Sequence, residues 1–431
     1  MWNPEVETMS RPAVEELQRR RLQDVVSRAY DNVAFYRRRM EAKGVTPRDI
    51  RSPADLSKLP FTTKQDMRNT YPYGLLAVPV KNIRRFHSSS GTTGKPTAVA
   101  YTDSDLAVWA EVLARTLSAG GLKRGSVFQV AVNYGLFTGG LGMHYAAEKV
   151  GASVIPASSG NTARQIMLMQ DFGTTAMVST PSYALHLAEA METMGVRPQD
   201  LALSSIFCGA EAWSDGMRRE IEASFGVKAY DVYGLSEIIG PGVSCDCHVQ
   251  DGLHIQEDHF YPEVIDPETG EILPDGEIGE LVLTTLTKEG MPMLRYRTRD
   301  LTALDRTPCP CGRTQIRMKR VVGRSDDMLI IRGVNIFPSQ VESVLLGMGT
   351  TAPHYQLIVD REGNLDTLTV MVEMTGDLAG SLNGSADKLE KKIQGELKSV
   401  LGLKAVVRLV EPRTIARSEG KAKRVIDKRV I

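Results

Sequence analysis

Apolar positions along this chain change rhythm several times, and the changes mark its organisation. Over residues 13–40 they fall at helical spacing among many arginines, so the N-terminal region reads as helices with polar connections. Ser52-Pro53-Ala54-Asp55-Leu56 has the residue types of a helix start. Between residues 127 and 180, short apolar runs such as 127–132 and 176–180 alternate with helical segments. That βαβ alternation predicts a mostly parallel sheet with helices on its faces. Residues 204–209, followed by a helix near 211–224, continue it.

Past Gly240 the pattern turns to strands. Residues 253–285 are strand-like and punctuated by Asp266-Pro267-Glu268-Thr269-Gly270 and Pro274-Asp275-Gly276, which is the turn chemistry of antiparallel hairpins. A second α/β pattern follows, with helices expected over 338–346 and 386–400 and strands near 355–359 and 368–374. The expected fold class is α/β. A large N-terminal domain, 1–325, would include a small β-rich subdomain at 241–322, and a small α+β domain would occupy 326–431. The latter has about the size of an ordinary independent domain.

Composition narrows the class. Hydrophobic residues make up 42% and charged residues 24% of the 431 positions, the mix of a soluble globular protein. Lys plus Arg and Asp plus Glu both total 52, so no global charge points to nucleic acid or a membrane surface as partner. The N-terminus Met1-Trp2-Asn3-Pro4-Glu5-Val6-Glu7 is acidic and has no apolar centre, so no secretory signal is expected. No apolar run approaches the roughly 20 residues that span a bilayer. A cytoplasmic enzyme is the expectation.

The segment richest in chemistry is Ser88-Ser89-Ser90-Gly91-Thr92-Thr93-Gly94-Lys95-Pro96-Thr97. Glycines let successive N–H groups turn towards one point, and hydroxyls add donors around it. Such a loop cradles phosphate oxygens, with Lys95 as a mobile positive charge. It departs from the Walker loop, because Pro96 follows the lysine where that pattern has Ser or Thr. A flexible Ser/Gly linker is the bland alternative, but the β-prone flank Thr97-Ala98-Val99-Ala100-Tyr101 argues against it. Four further motifs follow. Asp231-Val232-Tyr233-Gly234-Leu235-Ser236-Glu237 offers an aromatic that can lie on a purine and a carboxylate that can hold hydrated Mg2+. Tyr296-Arg297-Thr298-Arg299-Asp300 ends in a carboxylate able to accept both ribose hydroxyls. Gly323-Arg324-Ser325-Asp326 opens the third motif, and Ser418-Glu419-Gly420-Lys421 presents a lysine near the C-terminus.

In this order and spacing the motifs resemble the adenylate-forming acyl-CoA synthetase superfamily, and within it the phenylacetate–CoA ligase family. The resemblance covers essentially the whole chain, including Tyr134-Gly135-Leu136-Phe137-Thr138-Gly139-Gly140-Leu141-Gly142 and Gly333-Val334-Asn335-Ile336-Phe337-Pro338. It implies AMP-forming ligation of phenylacetate or a related arylacetate to coenzyme A. Other acids (indoleacetate, hydroxyphenylacetate, aminobenzoate) remain open, as does adenylylation of a deazaflavin cofactor without CoA. A non-catalytic nucleotide binder would have no need of Lys421.

The resemblance also implies residue roles. Ser88, Ser89, Ser90, Gly91, Thr92, Thr93, Gly94 and Lys95 would hold the outer phosphates of ATP, and Glu237 would steer Mg2+. Gly209, Ala210, Glu211, Asp231, Tyr233, Gly234 and Ser236 would surround the nucleotide, with Tyr233 on adenine. Asp300 and Arg324 would serve the ribose. Lys421 would bridge the substrate carboxylate and the α-phosphate. Tyr134, Phe137, Gly209, Ala210, Ile238 and Pro241 would line the acyl pocket. Asp326 matches the hinge about which the small domain rotates, and Gly333 the pantetheine channel. A homodimer is expected on the same ground.

Cysteine use adds one more site. Cys208 lies alone in an apolar stretch, whereas Cys245/Cys247 and Cys309/Cys311 form two C-x-C pairs. Cys247, His254, Cys309 and Cys311 would make a tetrahedral structural zinc site, and a set with Cys245 in place of His254 is chemically as reasonable. Free thiols on two loops are the alternative.

Overall fold

The computed structural model describes residues 1–88, 96–326, 328–332, 334–362, 365–375, 386–418 and 422–429. Two compact units emerge from the packing. The first comprises 1–179, 200–210 and 228–320; the second gathers 180–199, 211–227 and 321–431.

In the first unit the long helical stretch divides into helices Arg11–Asn32 and Ala34–Ala42, broken where Val33 adopts an extended conformation. Ser52 caps a short 3-10 helix, Pro53–Lys58, through the Asp55 carboxylate, which accepts from the Ser52 N–H at 3.0 Å. Among the described residues, nine strands form one mixed sheet. Ser153–Ile155, Val127–Val130, Ala176–Ser179, Ser205–Gly209 and Lys228–Leu235 pair in parallel, as the βαβ alternation requires. Gly240–Cys245 then folds back antiparallel on Lys228–Leu235, and Leu253–Ile255 on Gly240–Cys245. Part of the β-rich region therefore continues the large sheet. The rest forms an antiparallel run of Phe260–Ile265, Gly279–Thr285 and Tyr296–Thr302. Gly279–Thr285 is buried on both faces, which explains why its sequence lacks polar alternation.

The parallel strands present their C-terminal ends, and the loops beyond them, along one edge, where ligands bind in open α/β sheets. Gly209 closes one such strand, and a Cβ there would lie 2.4 Å from the Val232 carbonyl oxygen. Ala210 follows at φ +72°, a left-handed conformation uncommon for a residue with a side chain.

The second unit pairs helices Pro181–Met194 and Asp215–Phe225 with the C-terminal part of the chain. Its sheet runs Val406–Val410, Leu365–Met374, Thr351–Glu362, Val425–Asp427. Helices Pro338–Met348 and Ala386–Leu401 cover it, and Val341, Leu345, Ile393 and Leu397 interlock with Leu357, Val370 and Val372 in its core. Among the described residues, no helix is long and apolar enough to cross a membrane.

Candidate active site

Strand Arg85–Ser88 delivers the chain to the phosphate-loop sequence. The Ser88 N–H donates to the Leu136 carbonyl at 3.0 Å, and His87 Nδ1 lies 3.0 Å from the same oxygen. This fixes the start of that loop beside the Tyr134–Thr138 segment. Ser89, Ser90, Gly91, Thr92, Thr93, Gly94, Lys95, Gly333 and Lys421 lie outside the described residues.

Tyr233 and Asp300, 67 positions apart, are brought together: the phenol donates to Asp300 Oδ2 at 2.6 Å. A ring on one strand and a carboxylate on another thus share one corner. Asp231, buried next to them in sequence, has Arg320 Nε 3.7 Å from its carboxylate. Gly234 is a necessity of the turn that follows, because a Cβ there would sit 2.1 Å from the Gly240 carbonyl oxygen.

That turn carries Ser236, Glu237, Ile238 and Pro241. Ser236 Oγ lies 3.0 Å from Thr138 Oγ1, joining the turn to the segment holding Tyr134 and Phe137. Four of the candidate acyl-pocket residues, Tyr134, Phe137, Ile238 and Pro241, therefore come from two adjoining segments, while Gly209 and Ala210 stand at the end of strand Ser205–Gly209. Ile238 is fully buried and Phe137 is 43% exposed, so the first reads as floor and the second as rim. Tyr134 donates to, or accepts from, His144 Nδ1 at 3.2 Å. The Glu237 side chain is 8% exposed, and among the described residues its polar partner is Lys64 Nζ at 3.7 Å, beyond hydrogen-bond reach.

In the second unit, Arg324 makes a bidentate pair with Asp326 at 2.9 and 3.0 Å. Glu211 accepts from two backbone amides, Ser182 at 2.7 Å and Ala422 at 3.0 Å. Its carboxylate thus holds the chain immediately after Lys421 to the start of helix Pro181–Met194.

The cysteine pairs meet. Ligand atoms of Cys247, His254, Cys309 and Cys311 all lie within 4.8 Å of one another, and the first three residues are buried. Cys247 Sγ is 3.7 Å from Cys309 Sγ, and Cys311 Sγ is 3.4 Å from His254 Nε2. A tetrahedron with metal–sulfur bonds of about 2.3 Å has edges of about 3.8 Å, so this spacing fits zinc. Cys245 stands outside the cluster; burial pushes its thiol up to about 12. His254 belongs to the cluster, whereas Cys245, its direct cross-strand partner, does not.

Motif reading passed over Lys64, Tyr101, Trp109 and Lys288, which stand around the Glu237 turn. Lys288 had a legible signal, a lysine in Thr285-Leu286-Thr287-Lys288-Glu289-Gly290 shortly after the apolar run Leu281-Val282-Leu283.

Comparison with known proteins gives the family. The model of the AMP-binding enzyme family matches residues 86–287, and that of the AMP-binding enzyme C-terminal domain matches 333–429. A phenylacetate-coenzyme A ligase of Aromatoleum evansii is 51% identical over 98% of this chain and 96% of its own. One from Thermus thermophilus is 48% identical with both chains covered completely. Among solved structures, 2-hydroxyisobutyryl-CoA ligase in its postadenylation state, in complex with an acyl-AMP, superposes with a TM-score of 0.94. It is 31% identical over 99% of this chain and 92% of that one. The chain belongs to the phenylacetate–coenzyme A ligase family of adenylate-forming enzymes.

Proposed function

We propose that this protein converts phenylacetate, or a closely related arylacetate, to its coenzyme A thioester through an acyl adenylate. The observation that carries the acid is the 51% identity, over nearly the full length, to a phenylacetate-coenzyme A ligase. The Tyr233–Asp300 pair beside the Glu237 turn supports the nucleotide half of the reading.

In the first step a carboxylate oxygen attacks the α-phosphorus of ATP, and the bond to the bridging oxygen of pyrophosphate breaks. Carboxylate and triphosphate repel each other, so positive charge and exact placement supply most of the acceleration. Lys95 and the hydroxyls of Ser88 to Thr93 take the outer phosphates. Lys421 bridges the attacking carboxylate and the α-phosphate. Tyr233 stacks on adenine while Asp300 accepts from the ribose hydroxyls, with Arg324 assisting. Glu237, whose carboxylate is buried yet lacks a close partner among the described residues, fits a hydrated Mg2+. Bound there, that ion supplies positive charge to the transferring group. In the second step the CoA thiolate attacks the acyl carbon and AMP leaves with the electron pair. The lid rotation about Asp326 expected in this family removes Lys421 and admits the thiol along the Gly333 segment. Cys247, His254, Cys309 and Cys311 hold a structural zinc, since four protein ligands leave no open position.

The test is exchange of labelled pyrophosphate into ATP across a panel of aromatic acids, followed by thioester formation with CoA. Exchange that depends on phenylacetate and a CoA-dependent product are expected. Absence of exchange with every arene offered would overturn the reading, and a preference for indoleacetate or aminobenzoate would reassign the acid.

A further inference from the structure

Lys288 is 97% buried, and among the described residues no carboxylate comes within 4 Å of its ammonium. An unpaired buried cation is costly, so chains keep one only where its surroundings compensate or a function requires it. Here the compensation is visible. Nζ donates to the Glu237 carbonyl oxygen at 3.0 Å and stands 5.2 Å from the centre of the Tyr101 ring. The backbone beside it is pinned by Asp105, whose carboxylate accepts from the Glu289 N–H at 2.7 Å and the Gly290 N–H at 2.9 Å.

Its neighbours act on the same short stretch. Tyr101 Oη donates to the Ile239 carbonyl at 3.0 Å and reaches the Ser236 carbonyl at 3.4 Å. Trp109, stacked on Tyr101 with ring centres 5.2 Å apart, donates from Nε1 to the Pro241 carbonyl at 3.1 Å. Four carbonyls between Ser236 and Pro241 are therefore held by three buried side chains. Only Lys288 among the three carries charge, and it takes the carbonyl of Glu237.

We propose that Lys288 is a positioning residue for adenylation: a buried cation that holds the Glu237 turn in the geometry that receives Mg2+ and the triphosphate. The claim rests on the adenylating reading above and adds to it a residue that touches neither substrate. Burial, opposed by the Asp105 and Glu237 charges, lowers the lysine to about 8, which agrees with a strongly desolvated ammonium. A positioned group displaced by about 1 Å can lose on the order of a hundredfold in rate, so a carbonyl anchor is enough to matter.

The test compares wild type, K288M, E237Q and the double variant by calorimetric binding of Mg·ATP and of ATP in EDTA, without any acid. Methionine keeps the packing and removes the charge and the donor. K288M is expected to weaken Mg·ATP binding about tenfold and to leave binding in EDTA unchanged, as expected for loss of a charged hydrogen bond. Because Lys288 acts through Glu237, the double variant should lose no more than E237Q alone. Wild-type affinity in K288M, equal losses with and without Mg2+, or multiplied losses in the double variant would overturn the proposal. If K288M does not fold, Y101F removes a single oxygen from the same clamp; it should weaken Mg·ATP binding severalfold, and unchanged binding would refute the clamp. A wild type that binds Mg·ATP yet shows no acid-dependent exchange would sink the functional reading and leave this comparison intact. A wild type that binds no Mg·ATP would sink both.

Discussion

A single hydrogen bond, Tyr233 Oη to Asp300 Oδ2, shows how one residue's role depends on another's placement. The carboxylate accepts from the phenol through one of its two oxygens, and each carboxylate oxygen can accept more than one donor. Hydrogen bonds to a charged group contribute about 1.5–3 kcal/mol, so Asp300→Asn is expected to weaken ATP or AMP binding roughly tenfold to a hundredfold. Tyr233→Phe, which keeps the ring, should cost less than Tyr233→Ala. Nucleotide titration of the three variants reads both, and an Asp300→Asn affinity equal to wild type would remove Asp300 from the site. The aspartate was readable from the motif, although it lies within strand Tyr296–Thr302 and not at its end. Its pairing with Tyr233 was not, because it depends on how Tyr296–Thr302 packs against the end of Lys228–Leu235.

Loops and strands decide the cysteine site. Residues 309 and 311 lie on a connection between short strands, and residues 247 and 254 on the approach to and within Leu253–Ile255. Antiparallel pairing of Arg317–Met318 with Leu253–Ile255 brings the two loops together. Zinc would then tie the two loops to each other. Purified, chelator-free protein is expected to contain about one zinc per chain by elemental analysis. Cys309→Ser should lower both that content and the unfolding temperature, and well under one zinc in the native protein would remove the site. The C-x-C pairs were plain in the sequence, but two donor sets stayed open until the folded chain brought the ligand atom of His254 within 4.8 Å of those of Cys247, Cys309 and Cys311.

Across the molecule, acid stability is carried by carboxylates held ionised in both units. In the first, burial that would raise Asp258 is outweighed by His259 and by Arg115, 2.9 Å away, so its carboxyl lies well below the usual range. In the second, burial that would raise Glu189 is outweighed by His354 at 2.6 Å and Arg417 at 2.9 Å, which hold it down to about 2. A carboxyl depressed in the folded state stabilises it fully above the unfolded value, here 4.5, and loses that contribution as pH falls towards about 2. Glu189→Gln is therefore expected to be destabilising by about 1 kcal/mol at pH 7 and to converge on wild type only near pH 2. Thermal midpoints at the two pH values check this, and an equal deficit at both would refute it.

The sequence alone determined the βαβ layout, the β-rich middle, the C-terminal α/β pattern and the family, because periodicity and ordered motifs are local properties. It also carried the residue types of a nucleotide site. Tertiary structure decided which of those residues meet: Tyr233 with Asp300, Thr138 with Ser236, His254 with the three cysteines. It alone brought Lys288 beneath Glu237, 51 positions away, since a buried cation's partner is a backbone carbonyl that no residue pattern encodes. Contacts of this kind follow from strand register and loop path, which emerge only when the sheets pack.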